Sequence, residues 1–246
     1  MWIAGTTGYV TTRRGLAVLD LSNPVAPRVR GEVGDPLKRP RDVQVQFRYA
    51  FVIDDEGLKV LDVTDVTKAE PGLPRIVPGA FVPLDNPRGL YLARSYAYVA
   101  AGRQGLAIVD VGRPEEPRLV QLFDAGGRID DAQDVALGAT NGSIFAYLAD
   151  GGNGLRVIQL VSANDTPGAY GFSPLPTPTL VATYETRGPA VALSRGLDRD
   201  RAVDETGHQL AVFGRRGARP LDLGEQQRLY LRNGELYTVA NPELDP

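Results

Sequence analysis

The sequence predicts an all-β chain, a β-propeller built of four-stranded blades. Three observations carry that reading. One phrase recurs at near-constant spacing, each recurrence sits among short apolar runs, and 28 glycines and 19 prolines are spread along the 246 residues. Such a composition favours many turns and short strands over long helices. The phrase is GLAVLDLSNPVAPRVRG from Gly15, GLKVLDVTD from Gly57, GLAIVDVGRPEEPRLVQL from Gly105 and GLRVIQLVS from Gly154. Successive starts lie 42, 48 and 49 residues apart. Periods of this size, each holding several short strands, are the signature of propeller blades.

Each phrase has an upstream partner: residues 42–56 before Gly57, 89–104 before Gly105 and 134–153 before Gly154. These read as an apolar strand a, a turn, and a strand b such as Tyr49-Ala50-Phe51-Val52-Ile53 or Tyr96-Ala97-Tyr98-Val99-Ala100. The phrase itself is strand c. In Leu16-Ala17-Val18-Leu19-Asp20-Leu21 it is apolar on both faces, as a middle strand needs when blades stack face to face. A Pro-containing turn follows, then strand d: Arg28-Val29-Arg30, Arg75-Ile76-Val77 and Arg118-Leu119-Val120.

A fifth unit is less regular. Ala190–Leu193 is expected as strand a, Asp200–Asp204 as strand b and Gln209–Phe213 as strand c. Arg228–Leu231 and Leu236–Val239, joined through Asn233-Gly234, read as a hairpin and half of a sixth blade. The expected blades are 1–36, 41–83, 87–125, 133–185 and 188–224, with the half blade at 227–241, in a single domain 1–246. Aligning Gly15 with Gly57 puts Met1 inside a strand a, and both termini supply strands a and b. The expectation is a segment of a longer array or a truncated product.

The phrase Gly-Leu-x-Val-Leu/Ile-Asp-Val, with its upstream strand b, resembles the LVIVD-repeat family. The matching residues are Ala97–Ala100 with Gly105–Val111, and Ala146–Asp150 with Gly154–Ile158. The resemblance covers roughly residues 1–185. It implies a propeller fold and a secreted or cell-surface setting, since the family is found in bacterial and archaeal surface or secreted proteins, sometimes beside other modules. The motif is nearly silent about function. No signal peptide is visible at Met1-Trp2-Ile3-Ala4-Gly5, and no apolar run is long enough to insert in a membrane.

Net charge is −3. No basic patch with interleaved aromatics stands out, which gives no support to nucleic-acid binding. There is no cysteine, so disulfides, thiolate metal sites, covalent haem and thiol nucleophiles are excluded. The single histidine, His208, would have to serve any triad or histidine metal site alone, and no serine stands in a G-x-S-x-G context. The expectation is no enzyme, with no catalytic residue, cofactor or metal assigned.

The acidic residues have two readings each. Asp20, Asp62 and Asp110 end strand c; they are channel ligands or turn residues, and a turn repeated once per blade favours the second. The b–c loops Asp54-Asp55-Glu56, Asp150-Gly151-Gly152-Asn153 and Asp204-Glu205-Thr206 carry oxygens suited to calcium but lack EF-hand spacing, and tight rim turns explain them equally. The four aspartates of Asp124–Asp134 could gather around a hard cation, but a solvated linker is the favoured reading, since charge clusters usually face water. The best interaction candidate is the insertion Val161–Thr179, which is Pro-rich and carries Tyr170 and Phe172. It is either a partner surface or a loose rim loop with its aromatics folded back. The insertion Thr64–Gly79 has the same character, and the two are expected on one side of the disc.

The expected function is a non-enzymatic interaction or structural domain of a cell-envelope or extracellular assembly, binding a protein or polymer through rim loops. The alternatives are a propeller hydrolase or lyase with acidic residues at the central channel, and a scaffold module beside redox domains.

Overall fold

A computed structural model describes residues 1–68, 72–140, 143–169 and 171–194, and beyond these 201–203, 209–212, 215–216, 219–220, 224, 231–232 and 235–236. The chain divides into two compact units, Met1–Leu193 and Ser194–Pro246. The first holds four sheets, each a four-stranded antiparallel meander in chain order, which is the blade of a β-propeller. Blade 1 comprises β1 (Trp2–Ala4), β2 (Thr7–Thr11), β3 (Leu16–Asp20) and β4 (Arg28–Val33). Blade 2 comprises β5 (Asp42–Gln46), β6 (Tyr49–Asp54), β7 (Gly57–Asp62) and β8 (Arg75–Pro83). Blade 3 comprises β9 (Gly89–Ala93), β10 (Tyr96–Ala100), β11 (Leu106–Asp110) and β12 (Arg118–Phe123). Blade 4 comprises β13 (Asp134–Thr140), β14 (Ser143–Ala149), β15 (Leu155–Val161) and β16 (Thr179–Tyr184).

In the second unit β17 (Arg201–Val203), β18 (Gln209–Val212), β19 (Arg215–Arg216) and β20 (Arg219–Pro220) form one sheet. β21 (Leu231–Arg232) pairs β22 (Glu235–Leu236). Residues 190–193, expected as strand a of the fifth blade, make with blade 4 the contacts that strand a and its approach make between the earlier blades, where Ala132 bridges Gly102 and the Leu90 N–H donates to Asp42. Ala190 bridges Gly151, and the Leu193 N–H donates to the Asp134 carboxylate at 2.8 Å.

The core lies between blades, because a single four-stranded sheet has two apolar faces and covers neither. Tyr9, Leu16 and Val18 meet Val43, Val52 and Leu61 across blades 1 and 2. Phe51, Leu58 and Val60 meet Val99, Ala107 and Val109 across blades 2 and 3. Tyr98, Ile108 and Leu106 meet Val135, Leu148 and Ile158 across blades 3 and 4. Strand β6 is buried at all six positions, which is why its sequence shows no polar alternation.

The recurrent glycine of the phrase now has a steric cause. At Gly15, Gly57, Gly105 and Gly154, a Cβ would overlap the carbonyl oxygen of Val33, Val82, Phe123 or Tyr184 at the end of strand d. Three of the four also take positive φ, for example +73° at Gly105, a region that favours glycine. Strand d carries a bulge against strand c in all four blades. Bulged outer strands are poor templates for edge pairing with another chain.

Candidate interaction surface

An antiparallel meander puts its a–b and c–d connections at one end and its b–c and d–a connections at the other. Unit 1 therefore has two turn faces, and they differ in chemistry.

On the b–c face the turns are polar and clasp one blade to the next. Arg41 Nη1 donates to Asn86 Oδ1 at 2.7 Å and Arg88 Nη1 to Gln133 Oε1 at 2.5 Å. Gly102 and Ala132 exchange backbone bonds at 3.1 and 3.0 Å. Along the inner edge, alternate residues of β5 grip the backbone of β9. Asp42 accepts from Leu90 N at 3.1 Å, Gln44 bonds Leu90 O and Leu92 N, and Gln46 Nε2 donates to Arg94 O at 3.0 Å. Asp134 lies against Gly89, where a Cβ would sit 2.5 Å from its Oδ1.

The b–c acids divide. Asp54 and Asp150 are fully buried rather than rim residues. Asp54 accepts from Lys38 N at 2.8 Å, Glu56 N at 2.9 Å and Gly57 N at 3.2 Å, and pairs with Lys59 Nζ at 2.7 Å. Asp150 accepts from Asp131 N at 2.9 Å and pairs with Arg156 Nε at 3.0 Å. Blade 3 has Ala101 and Ala107 at the two positions, both buried. Blade 1 has Thr12 and Ala17, with Thr12 Oγ1 accepting from Arg14 N and Gly15 N at 3.1 Å each. A cation on strand c thus accompanies an aspartate at the end of strand b, as burial of a charge demands. Asp55 is exposed enough to pair with Arg39 at 2.5 Å and Arg41 at 3.0 Å.

Among the described residues of the linker, Asp124 accepts from Gly126 N, Asp130 from Asn153 Nδ2 and Asp131 from Gln133 Nε2. No group of three or more acidic or histidine side chains gathers as a metal site among the described residues. Asp204–Thr206 and His208 lie outside the described residues.

On the a–b/c–d face, the strand-ending aspartates are turn residues. Asp20, Asp62 and Asp110 accept from Ser22, Thr64 and Gly112 N–H at 2.9, 2.8 and 2.8 Å. The Ser22 bonds, with Arg30 beside them, hold the Asp20 carboxyl well below the usual range. Thr64 does the same for Asp62.

The c–d connections of blades 2, 3 and 4 lean onto the preceding blade. Val66 O, in a 3-10 turn at Thr64–Thr67, accepts from Arg30 Nη1 at 2.8 Å. Glu115 accepts from the Tyr49 hydroxyl and from Arg48 Nη2. In the 161–179 insertion, Gly171 O accepts from Arg94 Nη1 at 3.4 Å and Ser173 bonds Ser95. Thr177 N donates to Leu160 O at 2.8 Å, which ties the arm to its own blade. The two insertions share this face, and the second is docked rather than loose. Phe172 points away from it, and Tyr170 lies outside the described residues.

Among the described residues, the large apolar side chains exposed in turns and insertions of the four blades gather on this face, with Val191, in the connection leaving blade 4, the exception at 64% exposed on the other. Val25 is 90% exposed, Phe47 92%, Phe172 84% and Leu175 56%, with Leu73 partly exposed. Phe47 was not a sequence candidate. It stands in the a–b turn at φ +55°, a conformation rare for a bulky residue. The available signal was an aromatic where a two-residue turn calls for glycine or asparagine.

Beside Phe47, a shallow pocket of about 320 Å³ opens at the seam of blades 2 and 3. Arg48, Asp62, Arg75 and Glu115 line it, with Tyr49 at its base and Ile76–Pro78 as an apolar wall. Burial, reinforced by Glu115, pushes the Tyr49 phenol up. The Tyr49 hydroxyl, with Arg48 adding, holds Glu115 below its ordinary value.

A profile of the LVIVD repeat matches residues 1–35, 39–74, 89–125 and 131–169. No match was found among curated proteins. Among solved structures, the chain resembles a luciferin-regenerating enzyme at 12% identity and TM-score 0.49, over 80% of this chain and 65% of that one. It resembles AztD from Citrobacter koseri at 15% identity and TM-score 0.41, over 78% and 47%. It resembles Hsv2 from Kluyveromyces lactis at 15% identity and TM-score 0.41, over 82% and 52%. The chain spans less than two thirds of the length of each.

Proposed function

The chain belongs to the LVIVD-repeat family, and on that premise we propose that it is a non-enzymatic interaction domain that binds a protein or polymer through the a–b/c–d face of its blades. The setting we propose is the cell envelope or extracellular space, which the family resemblance implies. The observation that carries this reading is the one-sidedness of the exposed apolar turns. Val25, Phe47, Phe172 and Leu175 stand on one face, while the opposite turns, Val191 apart, are polar and engaged in inter-blade clasps. Exposed apolar residues gathered on one side mark contact surfaces, and aromatics dominate their energetics.

A second reading, a propeller hydrolase or lyase, is favoured by one feature. Burial pushes the Asp42 carboxyl up, and nearby Asp134 adds to it against the N–H bonds from Val43 and Leu90. A raised carboxyl is a general-acid candidate. Here its oxygens already hold the backbone of β5 and β9.

The test immobilises the full chain and screens it against peptide and polysaccharide arrays. The comparison is a Phe47→Ser/Phe172→Ser variant and an opposite-face control, Arg39→Ser. Retention that falls at least about tenfold in the first variant and not in the control supports the face assignment. Retention equal in both variants overturns it, and turnover abolished by Asp42→Asn would establish the second reading.

A further inference from the structure

We infer that blade 1 pairs with a second copy of this chain, each copy offering the sheet face turned away from blade 2. The repeat shows how that face is built. At the 42-residue offset between Gly15 and Gly57, Met1, Ile3, Val10 and Leu19 stand where blade 2 has Val43, Val45, Val52 and Leu61. Val29 lies opposite Leu19 as Ile76 lies opposite Leu61. In blade 2 this set packs onto blade 1, with Val43, Val52 and Leu61 fully buried. The matching residues of the next blades are covered in the same way, Val99 and Val109 by blade 2 and Leu148 and Ile158 by blade 3. In blade 1 the set is open. Met1, Ile3 and Val29 are 69%, 54% and 70% exposed, and Val10 and Leu19 are partly exposed.

The occupant is a second copy because the face is suited to meet itself. These positions bury against another apolar sheet face in the three following blades, and a second copy brings such a face in the same open state. Glu32, opposite Ala17 on this face, is paired with Arg14 at 3.1 Å, so two like faces meet there without a bare charge to repel. Edge-to-edge pairing is not the route, since β4 is bulged against β3. Two sheets pack face to face about 10 Å apart through their side chains, and a surface that pairs with itself closes at two copies. The sheet face of blade 1 is distinct from the a–b/c–d turns proposed above as the partner surface.

The test is sedimentation velocity on the full chain from about 1 to about 500 µM, a range that spans weak association. The expected result is a monomer of 26.5 kDa at the low end that becomes a dimer at the high end. Ile3→Lys/Val29→Lys and Ile3→Glu/Val29→Glu should each weaken the dimer at least about tenfold. Both residues are more than half exposed, so each variant should melt like the wild type at the low concentration. Mixing the two variants should restore a dimer, because opposite charges then face each other across the two-fold axis. Phe47→Ser, on the turn face, should dimerise like the wild type. A wild-type mass of 26.5 kDa at every concentration overturns the proposal, and so does a dimer undiminished in the lysine variant. A lysine variant that melts early at the low concentration shows the face packed within one chain and overturns it as well. Failure of the mixture to restore a dimer, or growth beyond two copies, overturns the pairing of this face with itself.

Discussion

Replacing Asp54 with alanine should cost the protein about 4 kcal/mol, within the range for stranding one member of a buried ion pair. The carboxylate is fully buried and holds Lys59 Nζ at 2.7 Å together with three backbone N–H groups. Its loss leaves the ammonium with Glu56 and the Pro36 carbonyl. Lys59→Ala alone should cost about 2 kcal/mol, because three N–H bonds still hold the aspartate. The double variant reproduces what blade 3 has at these positions, Ala101 and Ala107. It should cost about 3 kcal/mol, mostly the uncapped b–c turn, giving a coupling energy of about 3 kcal/mol. In melting temperature the single Asp54→Ala change is worth a drop of about 8–16 °C. Urea denaturation followed by circular dichroism measures all four corners of the cycle. Burial lowers the Lys59 pKa, but its bonds to Asp54 and Glu56 outweigh this and leave it raised. The pair's contribution is therefore full below the unfolded lysine pKa and fades as pH climbs through the folded one. The coupling should shrink at strongly alkaline pH. Costs that add to within about 0.5 kcal/mol at neutral pH would refute the pairing argument.

Three further outcomes follow from the same geometry. Gly105→Ala, which puts a Cβ into the Phe123 carbonyl at φ +73°, should cost about 3 kcal/mol or more, against about 1 kcal/mol for Gly126→Ala at φ +71° in open space; equal costs by denaturant melting would remove the steric account of the repeated glycine. Val60→Asp buries an unpaired charge between blades 2 and 3 and should abolish cooperative melting; a normal melting profile would contradict the strand assignment. Phe47→Gly relieves a left-handed aromatic that buries almost nothing, so stability should rise by about 1 kcal/mol while retention by a bound partner falls; a fall in both would make Phe47 a packing residue.

Much of the fold was legible because a propeller repeats. The strands of blades 2–4 and the c–d aspartates are visible in self-comparison, since a turn residue acts within two or three positions of itself. What stayed hidden acts across hairpins or blades. Asp54 reads as one of three acids in a rim turn, yet its partner Lys59 stands across the b–c turn on the buried side of β7. The 161–179 arm gave no sequence sign of docking, because its partners Arg94 and Ser95 lie 77 and 78 residues away. Phe47 sits in a segment that alternation alone reads as a plain turn. Its exposure is set by the blades around it.

The most direct measurement of the central claim is hydrogen exchange on the full chain, free and bound to a ligand recovered from the arrays. The account predicts added protection at residues 23–27, 47–48, 72–76 and 171–177, with the b–c turns at 54–57, 101–105 and 150–154 unchanged. Protection confined to those b–c turns, with the a–b and c–d connections unaltered, would contradict it.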